Sequence, residues 1–239
     1  MLFRSLRLIL GETQADDGTI RMPNRASLGA VSQEAPGGDE TPIDHVLSAD
    51  LERAALLAER ETHPDPVRAG EIELRLIEIE AHAAPARAAR ILAGLGFDHE
   101  AQQRPLSSFS GGWRMRVALA GTLFSNPDLL ILDEPSNHLD IEAMIWLTEH
   151  LKKFRKTVLM VSHDRDLLND VCDRIVHIDQ QKLVTYQGNY DRFERTRAER
   201  LEQDAAQQAK AAAQRKHMQA FVDRFRAKAS KAQIGRAHV

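Results

Sequence analysis

Leu129-Leu130-Ile131-Leu132-Asp133-Glu134-Pro135 is the stretch on which the reading of this chain turns. Four consecutive apolar residues between Asp128 and an acid pair are too few for a helix, and they lack the alternation of a half-exposed strand. They read as a strand buried on both faces, the condition of a parallel sheet covered by helices. Such a strand delivers its last residues to the carboxyl edge of the sheet, where open α/β folds bind ligands. Two adjacent carboxylates there have separate uses. Asp133 can hold Mg²⁺ through its water shell, and Glu134 can polarise an attacking water. A bare acid pair more often caps a strand in solvent, so the neighbours decide.

Downstream, residues 157–162 (TVLMVS) form a second short apolar run. Between the two, Ile141, Met144, Ile145, Thr148 and Leu151 recur at helical spacing, which makes a strand–helix–strand unit. His163, at the end of the second strand, can bond a phosphate oxygen or the attacking water. Upstream lies Ser108-Phe109-Ser110-Gly111-Gly112-Trp113, followed by the helical RMRVALAGTLF. A serine and two glycines at a helix start leave backbone N–H groups unpaired and unshielded, an anion site suited to a terminal phosphate.

Further from the acid pair the signals are coarser. Residues 39–104 carry 14 acidic and 7 basic side chains. Leu47, Leu51, Leu56 and Leu57, then Ile72, Leu76 and Ile79, predict two amphipathic helices separated by the HPDP at 63–66. Pro85 opens a third, over residues 85–96, that ends at glycines. Residues 19–22 and 28–32 read as short strands beside an Asp17-Gly18 turn.

Composition sets the outer bounds. The 239 residues carry a net charge of −3, too near neutral to imply a polyanionic partner for the chain as a whole. The charge is unevenly placed, with 12 basic and 6 acidic residues in 191–239 and a net −9 before them. Residues 210–231 hold seven cations against Asp223 alone and contain neither Gly nor Pro, so they predict a long exposed helix. No apolar run reaches the roughly 20 residues of a membrane helix. The opening MLFRSLRLILGE, studded with Arg4 and Arg7 and without a small-residue cleavage site, does not read as a convincing signal peptide. Cys172 is the only cysteine, which excludes an internal disulfide framework and a cysteine-based zinc cluster. A cytoplasmic location is expected.

These residues resemble the ATP-binding cassette (ABC) ATPases. FSGGW is similar to the family's signature loop, LLILDEP to its Walker B strand, SNHLD to its D-loop and VSHD to its switch-histidine loop, while Gln33 in AVSQEAPG matches the Q-loop. The resemblance narrows to the ABC-F class through NHLD, SHDRDLL and the tail YQGNYDRFERTRAERL. It implies an α/β fold: an ABC-type P-loop NTPase core of mostly parallel sheet flanked by helices, with an inserted helical subdomain and a C-terminal linker helix. The expected division is 1–33 and 127–190 for an N-terminally truncated RecA-like core, and 34–126 for a helical, signature-bearing subdomain with an arm-like insertion. A basic linker helix would follow at 191–233.

The resemblance also implies roles and partners. Glu134 and His163 would be catalytic, and Gln33, Ser110, Gly111, Gly112 and Asp140 would contact nucleotide. Asp133 and Gln33 would hold the metal of a Mg²⁺–ATP substrate. Lys216, Arg224, Arg226 and Lys228 would face RNA. Implied partners are a second cassette and the ribosome with its rRNA and tRNA, with no membrane. The competing expectation is the ATPase subunit of an ABC transporter, and a third is a degenerate cassette acting as a scaffold or RNA-binding arm.

The sequence departs from the family pattern at one place. The phosphate-cradling G-x-x-x-x-G-K-[ST] is absent, and residues 1–12 resemble the helix that follows it. The loop and a second cassette are therefore expected outside these residues, and this stretch by itself is expected to be inactive. Residues 234–239 (IGRAHV) break the linker pattern and match a translated frame of a sequencing adapter, so they are expected to be an artefact.

Overall fold

The computed structural model describes residues 2–24, 26–31 and 34–235. The chain divides into two compact units, Met1–Val171 and Cys172–Val239.

In the first unit α1 (Leu2–Ile9) leads through an exposed coil to β1 (Leu28–Ala30). Helices α2 (Pro42–Ser48), α3 (Leu51–Glu61), α4 (Pro66–Glu78), α5 (Ala84–Gly94) and α6 (Gly111–Phe124) follow. Then come β2 (Leu129–Asp133), α7 (Ile141–Lys153), β3 (Thr157–Val161) and α8 (Arg165–Val171). The strands form a parallel sheet in the order β1-β2-β3, with Leu28 opposite Leu129 and Asp133 opposite Val161. The quoted stretch is thus the central strand, and its Leu130, Ile131 and Leu132 are buried as expected. Its end and the end of β3 lie side by side.

Asp128 ties the strand starts together. Its carboxylate accepts the Ser27 N–H and hydroxyl, both at 2.9 Å, and pairs with Lys156 at 3.1 Å. Its carbonyl accepts the Thr157 N–H at 3.2 Å. Over the sheet, α6 is buried almost all round, including Val117, Ala120, Leu123 and Phe124, because α2 and α5 cover the side the sheet does not.

Local chemistry sets the helix ends. The region expected to hold two amphipathic helices before Pro85 holds three, because Asp50 starts a new one by accepting the Arg53 N–H at 3.0 Å. Thr41 caps α2, and Asp65 caps α4 with Pro66 at its first position. A satellite core of Ile72, Leu76 and Ala81 packs with Leu56 and Leu57. The acidic excess there is partly neutralised across the hairpin, where Arg68 meets Glu59 and Arg75 meets Glu52, each at 2.6 Å.

Two strand expectations need correction. Residues 19–22 form no strand, because no described strand lies beside them to complete a ladder and the four residues stay exposed. β3 is only half-buried rather than fully covered, since among the described residues only β2 pairs with it.

The second unit comprises β4 (Arg174–Asp179), β5 (Lys182–Gln187) and the 46-residue α9 (Tyr190–Gly235). The antiparallel pair turns at Gln180 and Gln181, whose φ of 45° and 65° make the left-handed turn that matches strand twist. Asn189 opens α9 by accepting the Arg192 N–H at 3.3 Å. Phe193 is buried among the rings of His177, Tyr186 and Tyr190.

Candidate functional site

The acid pair stands where β2 ends. Asp133 closes the strand, and Glu134 turns the chain with φ 48° and ψ 55°, a left-handed conformation that costs a non-glycine residue about 1 kcal/mol. That turn sends the Glu134 N–H to the Val161 carbonyl at 2.8 Å, across to the end of β3. It also points the Glu134 carboxylate at His163. The His163 Nδ1 lies 2.6 Å from Oε2, and the His163 backbone N–H donates to the same oxygen at 3.3 Å. Because a carboxylate only accepts, Nδ1 carries the proton and Nε2 is left free. Burial, followed by the neighbouring Glu134 charge, raises the Asp133 pKa above its usual range. A cation is welcome beside such a pair.

The Ser-Gly-Gly motif lies at the start of α6. The Ser110 carbonyl accepts the Arg114 N–H at 3.0 Å, so the N–H groups of Gly111, Gly112 and Trp113 precede the first helical bond. The Ser110 hydroxyl makes no capping bond. A Cβ on Gly111 would meet nothing within 4 Å, and one on Gly112 would lie 3.7 Å from the His138 Nδ1. The helix start is therefore bare backbone facing the residues that follow the acid pair.

Arg116, which the sequence reading did not single out, holds those two segments together. Its guanidinium is buried, donates Nε–H to the His138 carbonyl at 2.6 Å, and reaches Asp140 at 2.7 Å and the Leu95 carbonyl at 3.2 Å. It also lies 4.5 Å from the centre of the Trp113 ring. Asp140 accepts the Ala143 N–H at 2.9 Å, and this bond, then the Arg116 contact, lowers its pKa. The Asp140 carboxylate is thus engaged by α6 and α7. A cavity of about 110 Å³ beneath touches Arg116, Asp133, Glu134 and His138, joining both halves of the site.

Gln33 lies outside the described residues, as do residues 236–239 of the expected artefact. Lys216 is exposed on α9, and the side chains of Arg224, Arg226 and Lys228 lie outside the description. Among the described residues no group of three or more His, Cys, Asp or Glu could hold a metal ion. Mg²⁺ suits the site even so, because it takes one or two protein ligands and completes its shell with phosphate and water.

A parallel sheet ending in an acid pair, a histidine bonded to the second acid, and a glycine-led helix start clamped to the intervening loop define a nucleotide-binding cassette of the P-loop ATPase class. Comparison with known proteins agrees. The family model described as ABC transporter matches residues 5–137, and a second with the same description matches 176–238. YheS of Escherichia coli K12 is 41% identical over 98% of this chain and 37% of its own length. ATP-binding cassette sub-family F member 3 of Homo sapiens is 44% identical over 90% of this chain and 32% of its own. The chain belongs to the ABC family, in its F subfamily. It spans about a third of the length of these relatives. Among solved structures it is similar to an ATP-binding subunit of an ABC transporter, at 17% identity and TM-score 0.58 over 82% of this chain and 77% of that one. It also matches the dimeric cassette MJ0796 bound to ADP and phosphate, at 19% identity and TM-score 0.53 over 78% and 80%. These likenesses establish the fold.

Proposed function

We propose that the protein carrying this cassette binds and hydrolyses ATP and uses the cycle to engage and leave the ribosome. The observation that carries the ATPase reading is the 2.6 Å contact between Glu134 and His163 beside Asp133. In this reading Glu134 orients the attacking water and takes up its proton. His163 holds that carboxylate in place by donating its Nδ1–H to it. Asp133 and Gln33 would hold Mg²⁺, which would supply the positive charge that neutralises the phosphates of ATP. Ser110, Gly111 and Gly112 present their backbone N–H groups to ATP held by a second cassette, as dimeric relatives of the fold suggest. Asp140 acts by fixing the loop through Arg116.

The ribosomal part is supported by the resemblance of NHLD, SHDRDLL and the tail YQGNYDRFERTRAERL to the ABC-F class and by the charge of α9. One solved structure similar in fold is an archaeal ribosome recycling factor, at 20% identity and TM-score 0.55 over 82% of this chain and 34% of that one. Seven cations on the polar helix over 210–231 suit rRNA or tRNA phosphates. Among the described residues no helix is long and apolar enough to cross a membrane. A ribosomal partner would place the protein in the cytoplasm.

The test is co-sedimentation of the ATP-trapped longer protein with ribosomes across a salt series. Reversing Lys216, Arg224, Arg226 and Lys228 to Glu should weaken it, and the unreversed protein should dissociate steeply as salt rises. Equal co-sedimentation of both proteins at every salt would return α9 to a solvated helix. No co-sedimentation at any salt would overturn the ribosomal reading.

A further inference from the structure

A cleft of about 1050 Å³ opens in the first unit at the amino ends of the strands, beside Ser27 and Lys156, away from the acid pair. Five cations line it: Arg87 and Arg90 from α5, Lys153 from α7, and Arg155 and Lys156 from the loop that follows. They gather within the part of the chain whose net charge is −9. The carboxylates on the rim are engaged elsewhere, Glu52 with Arg75 at 2.6 Å and Asp50 with the Arg53 N–H. Lys156 is paired with Asp128, and Arg87 lies over the Phe124 ring at 4.8 Å. Arg90, Lys153 and Arg155 are exposed and, among the described residues, have neither a hydrogen bond nor an ion pair.

The floor beneath them is rigid. Trp146 stacks on His150 at 4.9 Å, and a Cβ on Gly94 would fall 2.0 Å from the Trp146 ring, so the indole is pressed onto bare α5 backbone. Burial, then Lys153, lowers the His150 pKa, so the imidazole adds no charge at neutral pH. The cleft therefore offers three uncompensated cations from two helices and a loop, above an aromatic wall whose stacking faces are already taken. That chemistry suits repeated phosphates rather than bases, and guanidinium forks match phosphate oxygens in pairs.

We propose that this cleft binds the phosphodiester backbone of RNA, through Arg90, Lys153 and Arg155. The identity of the polyanion rests on the ribosomal reading above, whereas the cleft itself rests on geometry. Fluorescence anisotropy of a labelled RNA hairpin with this 239-residue chain provides the test. Arg90→Glu, Lys153→Glu and Arg155→Glu together should weaken binding about tenfold or more, and the log–log salt slope should flatten by about 3 for three lost phosphate contacts. The three residues make no native polar contact, so the thermal melt should be unchanged. If the Glu set does not fold, the corresponding Gln set should show a smaller loss in the same direction. Unchanged affinity and salt slope in the folded variant would overturn the proposal. So would polyglutamate competing as well as unlabelled RNA, which would make the cleft a dock for acidic protein. Ribosome co-sedimentation separates the two claims. If it persists while hairpin binding ignores the three reversals, the cleft fails and the ribosomal reading stands. If hairpin binding needs the cleft but ribosomes do not co-sediment, the reverse holds.

Discussion

Arg116 shows how much of the site is held by a residue that takes no part in the proposed chemistry. Its guanidinium serves the His138 carbonyl, the Leu95 carbonyl and Asp140 from within the core. Arg116→Ala leaves both carbonyls without that donor, which should lower stability by about 1–3 kcal/mol in urea unfolding. Arg116→Lys should recover only part of that, because an ammonium lacks the planar fork that reaches the separate acceptors. An Ala variant as stable as the parent would remove Arg116 from this role. Asp133, Glu134, His163 and the Ser-Gly-Gly motif were legible in sequence because each sits at the end of a short apolar run or the start of a helix. Arg116 was not, since either arginine of RMRVALAGTLF looks like an exposed helix position until the packing of α2, α5 and the sheet around α6 is known. The left-handed turn at Glu134 was equally hidden, because no glycine announces it.

Among the elements, β2 and β3 could be read because an apolar run between turn residues needs no partner to be recognised. What that reading lacked was each strand's neighbours. Residues 19–22 have a strand's composition and no ladder, while β3 has a ladder on one side and partial exposure. β4 and β5 went unread, since their turn is Gln180-Gln181 rather than a glycine pair, although RIVHID and KLVTYQ alternate weakly. The sheet's amino edge makes a pH prediction. Hydrogen bonds from Ser27, then Lys156, hold the Asp128 pKa down to about 2, against roughly 3.9 in an unfolded chain. A depressed carboxylate stabilises the fold above the unfolded value and loses that contribution as pH falls toward the folded one. Asp128→Asn should therefore have a lower urea midpoint than the parent at pH 7, and the gap should close between about pH 5 and pH 2. A gap that stays constant over that range would mean the carboxylate charge contributes nothing.

For the whole molecule, charge separates what the net value conceals. A chain at −3 looks indifferent to nucleic acid, yet it carries +6 after residue 190 and an uncompensated cationic cleft within the acidic remainder. The tail's bias was visible in composition alone. The cleft was not, because Arg90 and Lys153 are 63 positions apart in sequence and only the packing of α5 beside α7 brings them together. The central claim remains the chemistry at the end of β2. Its most direct test is single-turnover ATP hydrolysis by the longer protein with Glu134→Gln, in which the amide keeps the shape of the side chain but cannot accept a proton. ATP binding should persist while turnover falls by about 10²-fold or more; turnover near the parental rate would contradict the assignment of Glu134.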